Sequence, residues 1–134
     1  MPLSLRQLEP APSSQLALEE ISEEGTNSSI ALKLKEFVIQ VAGTYRTRFN
    51  LGVGASTNGY GQIYVNGVPK GSVRVQRTAG GFTVYVEDIG GLKQYDLLQL
   101  YAWHTDSTNL VTVSNFSISA SYQELPSPIP AKVN

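Results

Sequence analysis

The chain has 134 residues, a formal net charge of −1, no cysteine and one histidine. One domain's worth of chain at that charge excludes a nucleic-acid binder that works by neutralising phosphates. The missing thiols exclude disulfides and thiolate metal sites. The charge is uneven: residues 1–30 carry Arg6 against five acidic residues, a net −4, while residues 31–134 carry nine basic against six acidic, a net +3. A mildly acidic leading segment therefore precedes a mildly basic domain, which favours weak, salt-sensitive docking of one on the other or on a neighbouring copy. No apolar run approaches the ~20 residues that span a bilayer, and no basic start followed by an apolar stretch marks a secretory signal. Neither a membrane nor a nucleic-acid partner is expected.

In chain order, residues 1–14 contain Pro2, Pro10 and Pro12, which break any helix. Leu3, Leu5 and Leu8 have no local core to enter. This stretch reads either as a disordered tail or as an arm that orders only against another subunit. Residues 15–24 suggest a short helix, capped by Ser13 or Ser14 and stopped by Gly25, although Leu16, Leu18 and Ile21 make no full apolar stripe. Thr26 to Ser29 reads as a linker, so residues 1–29 form an arm and linker ahead of the folded body.

From Ile30 the apolar period becomes two. Alternating runs follow at residues 31–35, 37–41, 45–51, 61–65, 73–76, 82–87, 98–103 and 111–120, separated by Gly, Asn, Asp and Ser clusters. Tyr45, Thr47, Phe49 and Leu51 share one face of their run, with Arg46, Arg48 and Asn50 on the other. Ile63 and Val65 lead into Asn66-Gly67, the dipeptide that tolerates the positive φ angles of a two-residue hairpin turn. Phe82, Val84 and Val86 alternate with Thr83, Tyr85 and Glu87, and Leu98, Leu100 and Ala102 alternate with Gln99, Tyr101 and Trp103. Short strands with a turn signal every 8–12 residues and no helical period predict an all-β antiparallel sandwich over residues 30–122. Pro126, Pro128 and Pro130 then make residues 123–134 a Pro-rich tail.

The chemistry of catalysis is sparse. His104 is the only histidine, so no His-pair metal site exists, and no Gly-x-Ser-x-Gly elbow supplies a nucleophile for it. Glu87 and Asp88 are sequence neighbours that a strand sends to opposite faces. Asp106 with Asn109 falls well short of a calcium coordination set. The glycines sit at strand ends without a following helix, so they are turn residues rather than a phosphate cradle. No enzyme activity, cofactor or metal is expected.

Tyr64, Tyr85, Tyr101 and Trp103 each lie opposite their strand's aliphatic residues. A sandwich buries one face per strand, so aromatics on the other face read as ordinary β-propensity, as a subunit interface, or as a stacking platform for sugar rings.

The ordered strings Ala42-Gly43-Thr44-Tyr45-Arg46-Thr47-Arg48-Phe49-Asn50-Leu51, Gly61-Gln62-Ile63-Tyr64-Val65-Asn66-Gly67-Val68, Tyr95-Asp96-Leu97-Leu98-Gln99-Leu100-Tyr101-Ala102 and Val113-Ser114-Asn115-Phe116-Ser117-Ile118 resemble a recurring jelly-roll module. It is similar to modules in virion proteins of tailed bacteriophages, both capsid decoration proteins and fibre knobs, and more distantly to C1q and tumour-necrosis-factor heads. The resemblance covers residues 31–122, and its strings are mostly core and turn residues. It implies a jelly-roll β-sandwich, a homotrimer, a place on the virion (the capsid surface) and contact with the major capsid protein or another virion protein. Leu3, Leu5, Leu8, Leu16, Leu18 and Ile21 would then serve as the capsid-anchoring arm. The alternatives are a receptor-binding knob that recognises host glycan, with Tyr60, Trp103 and the 105–109 loop doing the work, or a carbohydrate-binding module.

Overall fold

The structure, a computed structural model, describes residues 17–54, 58–105 and 109–120. These residues form strands only: β1 (Ala17–Glu20), β2 (Glu24–Thr26), β3 (Leu32–Val38), β4 (Gly43–Val53), β5 (Gly59–Val65), β6 (Val68–Pro69), β7 (Arg74–Gln76), β8 (Phe82–Leu92), β9 (Leu97–His104) and β10 (Val111–Ala120). They make two five-stranded sheets. The first runs β1-β10-β4-β8 with β2 also on β10, and the second runs β3-β9-β5-β6 with β7 also on β5. Every pairing is antiparallel. This is the antiparallel sandwich that the alternating pattern predicts.

The core lies between the sheets. Tyr45, Thr47, Phe49 and Leu51 of β4, Ile63 of β5, and Leu98, Leu100 and Ala102 of β9 are all buried, on the faces their alternation assigns. In β10 the inward set is Val111 and Val113, then Phe116, Ile118 and Ala120. A strict period of two would turn the second set outward, so one additional residue is required between them. A bulge supplies it: β10 advances from Ser114 to Ser117 while β4 moves only from Asn50 to Arg48. Asn115 takes φ 52° there, a left-handed value that asparagine tolerates better than most residues. The Asn66-Gly67 turn is also as expected, with φ 53° and 80° between the paired residues Val65 and Val68.

Two readings are corrected. Where a helix is expected over residues 15–24, the described part forms strands: β1 and β2 pair with the two halves of β10, Leu18 opposite Ile118 and Gly25 opposite Thr112. The open ladder of β10 satisfies this segment's backbone, whereas a helix would have lacked an apolar stripe to bury. Part of the stretch read as arm and linker is thus the edge of the sandwich. In β8 the phase is the reverse of the aliphatic pattern. Ile89 and Leu92 are buried, Phe82, Val84 and Val86 are exposed, and Tyr85 packs against the core. Ile89 sets the phase, and counting back by two brings Glu87, Tyr85 and Thr83 inward.

That inner edge of β8 tolerates polar groups because β7 meets it. Tyr85 Oη donates to the Val75 carbonyl (2.6 Å), the Arg74 guanidinium lies 5.4 Å from the Tyr85 ring centre, and Arg74 pairs with Glu87 at 3.3 Å. Ser72 N donates to Glu87 Oε2 (3.0 Å), and Thr83 Oγ1 bonds Gln76 Oε1 (2.6 Å). The opposite side is closed by Lys35. Its side chain is only 3 % exposed, and Nζ donates to Ser22 Oγ (2.9 Å) and pairs with Glu20 Oε1 (3.3 Å). One clasp on each side holds the two sheets in register.

Phe116 is fully buried and its ring stacks 5.0 Å from that of Phe37 across the sheets. Phe116→Ala is expected to cost about 3–5 kcal/mol of unfolding free energy, read from urea denaturation; a loss well under 1 kcal/mol would place that ring outside the core. Acid is a second test. The Asp88 carboxylate is held below its usual range by the Arg46 guanidinium, that of Glu36 by Gln99 and Lys33, and that of Asp96 by the Lys93 amide and Asn66. Because their folded values are depressed, the stability they contribute is present above the ordinary carboxylate range and is lost as pH falls through and below it. Melting temperature is expected to be flat near neutrality and to drop below about pH 4.

Candidate functional site

Strands β5 and β9 pair in the middle of the second sheet, with Tyr60 opposite Trp103, Gln62 opposite Tyr101 and Tyr64 opposite Gln99. Their inner positions belong to the core, so these six side chains line the outer face. The aromatic rings meet one another there. Tyr60 and Trp103 stack with centroids 5.3 Å apart and planes 15° from parallel, and Tyr64 and Tyr101 stack at 3.7 Å and 10°. All four residues are half-buried.

Hydrogen bonds hold this row in place. Gln62 Nε2 donates to the Gly71 carbonyl (2.8 Å), and Asn58 Nδ2 to Tyr60 Oη (3.2 Å). Buried Gln99 accepts from Gly67 N (2.8 Å) and donates to Glu36 Oε2 (2.9 Å), which also pairs with Lys33 at 3.0 Å. Asn66 bridges the hairpin tip to β9, accepting from Leu97 N (2.8 Å) and donating to Asp96 Oδ1 (3.0 Å). The result is an aromatic stripe held by hydrogen bonds along its length. Each ring gives one face to its partner, so the stripe offers edges and outer faces to a second body.

Of the aromatic residues singled out in the sequence, Tyr64, Tyr101 and Trp103 share this stripe and Tyr60 joins them. Tyr85 does not, since it faces inward on β8. Among the anchoring leucines, Leu3, Leu5, Leu8 and Leu16 lie outside the described residues, while Leu18 and Ile21 sit on the exposed edge formed by β1 and the turn after it. His104 is fully buried at the end of β9, with its backbone amide bonded to the Ser28 carbonyl (2.8 Å). Among the described residues no group of three or more His, Asp or Glu side chains is placed to hold a metal.

A second feature escaped the sequence reading. On the outer face of the first sheet, Asn50 and Gly52 of β4 form the floor of a concavity of about 370 Å³, bordered by Phe82, Leu110, Thr112, Ser114 and Glu23. Gly52 is opposite both Thr112 and Phe82. A β-carbon on Gly52 would sit 3.0 Å from Thr112 Oγ1 and 3.1 Å from the Gly81 carbonyl oxygen, so the glycine lets these two polar groups converge. The Asn50 side chain is buried, and its Oδ1 has no hydrogen-bond partner. The signal in the sequence was a change of side chain along one face of β4, from Arg46 and Arg48 to Asn50 and Gly52.

The stack of Tyr60 on Trp103 is testable in solution, because Trp103 is the single tryptophan. Tyr60→Ala is expected to red-shift its fluorescence and increase quenching by acrylamide, with an unchanged far-ultraviolet spectrum. Unaltered emission would mean that the rings do not stack.

No protein family's profile matches the chain, and no curated protein matches it in sequence. Solved structures do match in shape. The C-terminal domain of EclA, a sugar-binding protein, aligns with a TM-score of 0.56 at 13 % identity, over 85 % of this chain and 84 % of its own. The CBM36-1 domain of a multidomain xylanase from the hindgut metagenome of Trinervitermes trinervoides aligns with a TM-score of 0.57 at 6 % identity, over 79 % of this chain and 98 % of its own. The coat protein of Tobacco streak virus aligns more loosely, with a TM-score of 0.42 at 13 % identity, over 89 % of this chain and 95 % of its own. At these identities the first two establish a shared jelly-roll-like sandwich fold and nothing of function, and we base nothing on the third.

Proposed function

We propose that this chain is a non-catalytic structural protein of a tailed-phage virion, a homotrimeric decoration domain that binds and stabilises the assembled head. The observation that carries the reading is the stacked aromatic stripe of Tyr60, Tyr64, Tyr101 and Trp103 on the outer face of the second sheet. Tyr and Trp are enriched where proteins meet, so an outward row of them suits a protein partner. A copy of the same chain, or a shell subunit, would cover the rings. The resemblance of residues 31–122 to phage virion jelly rolls supplies the context.

Such a protein acts by mass action. It binds the assembled shell and not the free subunits, so it shifts the equilibrium toward assembly. Three copies joined in one particle add avidity when the spacing of shell sites matches them. The leucines of residues 1–16 are the proposed anchor, with Leu18 and Ile21 leading from the sandwich edge.

A second reading, a receptor-binding knob or carbohydrate-binding module, is favoured by the sugar-binding and xylanase-borne domains that share the fold. In that case Trp103 would stack on a sugar ring, and host glycan would be the partner.

The deciding experiment is mass-resolved size-exclusion of the full chain, with and without empty capsids. A trimer that co-migrates with capsids and raises their melting temperature is the expected result; a monomer indifferent to capsids would overturn the reading. Trp103→Ala is expected to dissociate the trimer while the fold survives, whereas a trimer that persists but loses glycan would transfer the function to the second reading. A variant lacking residues 1–16 is expected to keep the sandwich and lose capsid binding; undiminished binding would remove the anchor.

A further inference from the structure

We propose that the concavity on the outer face of the first sheet binds a neutral, hydroxyl-rich ring, a pyranose unit of a glycan. This is the sheet opposite the aromatic stripe, so the inference stands whether that stripe is a subunit interface or not.

Four observations bring the chemistry together. The cavity measures about 370 Å³, near the lower end of the ~300–1,000 Å³ that small-molecule sites occupy, which suits one or two sugar units. One border is apolar: Phe82 is 62 % exposed and Leu110 is 50 % exposed. An aromatic ring left open on a surface covers the C–H face of a sugar as it would any apolar patch. The opposite border and the floor are polar. Thr112 and Ser114 present hydroxyls from neighbouring outward positions of β10, and the Gly81 carbonyl converges with Thr112 Oγ1 over Gly52. Finally, Asn50 Oδ1 is buried without a partner.

That last group is the informative one. A buried acceptor without a donor is costly, so native structures rarely keep one. Val84 flanks Asn50 on the β8 side and offers no donor, and Ser114, directly opposite on the β10 side, makes no hydrogen bond to Oδ1 although it carries a hydroxyl. A ligand hydroxyl supplies the missing hydrogen bond.

The sign of the ligand follows from Glu23, the charged side chain on the rim. A carboxylate accepts from sugar hydroxyls and repels carboxylated or phosphorylated rings. A neutral sugar is therefore preferred over sialic or uronic acids.

The test is a titration of the isotope-labelled full chain, followed by amide chemical shifts, with glucose, galactose, mannose, xylose and N-acetylglucosamine in turn and sialic acid as the anionic control. The expected result is saturable shifts at Asn50, Gly52, Phe82 and Thr112 for at least one neutral sugar and none for sialic acid. Phe82→Ala and Thr112→Val are each expected to weaken that binding about tenfold, the equivalent of losing one net hydrogen bond or stacking contact. Both positions are on the outer face, and the amide spectrum of each variant checks that the sandwich is intact. Shifts centred on Tyr60 and Trp103 instead, binding unchanged in both variants, or no shift with any of the five sugars would each overturn the proposal.

Discussion

The structure depends on the phase of each strand relative to one core between two sheets. The long strands contribute alternate residues to that core, so a strand one residue out of step would turn its apolar set to water. β4, β5 and β9 keep strict alternation and need no correction. β10 cannot, because its inward residues change parity between Val113 and Phe116, and the bulge at Asn115 absorbs the difference. The break between β1 and β2 falls opposite that bulge, since β2 pairs with residues 111–113 and β1 with residues 116–119. One left-handed asparagine thus fixes the register of β10 and divides the edge strand beside it.

Apolar packing sets the distance between the sheets but not their closure at the sides. There the inward positions are polar and solve the problem with hydrogen bonds. Lys35 enters from β3 and reaches Ser22 and Glu20, while Arg74, Glu87, Tyr85 and Ser72 interlock β7 with β8. A nearly buried lysine with three oxygen partners is tolerable because its charge is met where it lies, though such a pair adds less stability than its geometry suggests. These clasps explain why the edge strands carry charged residues at positions that central strands give to valine and leucine.

The same distinction separates what was legible in the sequence from what was not. Central strands buried on one face wrote their alternation plainly: Phe49, Ile63 and Leu100 are all where the period of two puts them. The Asn66-Gly67 turn was readable because only a few residues accept its angles. Edge strands were not readable. Residues 17–20 and 24–26 read as part of a poor helix because an edge strand needs neither a stripe nor a strong propensity, only an open ladder to join. In β8, Phe82, Val84 and Val86 mimic a buried face, whereas the true inner face is Thr83, Tyr85 and Glu87, whose partners come from β7. Nothing local in residues 82–87 announces those partners. The stripe on the second sheet was half legible: Tyr64, Tyr101 and Trp103 were marked as outward, while their stacking is a property of neighbouring strands.

The two outer faces differ in a way the shared fold does not dictate. Sandwiches of the same shape include sugar-binding and xylanase-borne domains, yet a fold only supplies two faces and leaves their use to particular side chains. On the second sheet, long aromatic side chains on β5 and β9 stack on one another across the strand pair. On the first, Asn50 and Gly52 lower the surface just where Phe82 and Leu110 rise beside it. An apolar stripe gains most from a surface as broad as itself, because burial scales with area. A depression with convergent polar groups gains most from a small ligand that satisfies them, because an unmet acceptor is costly and a met one is specific. The two proposed roles, a macromolecule on one face and a small polar ring on the other, draw on different sheets and share no residues.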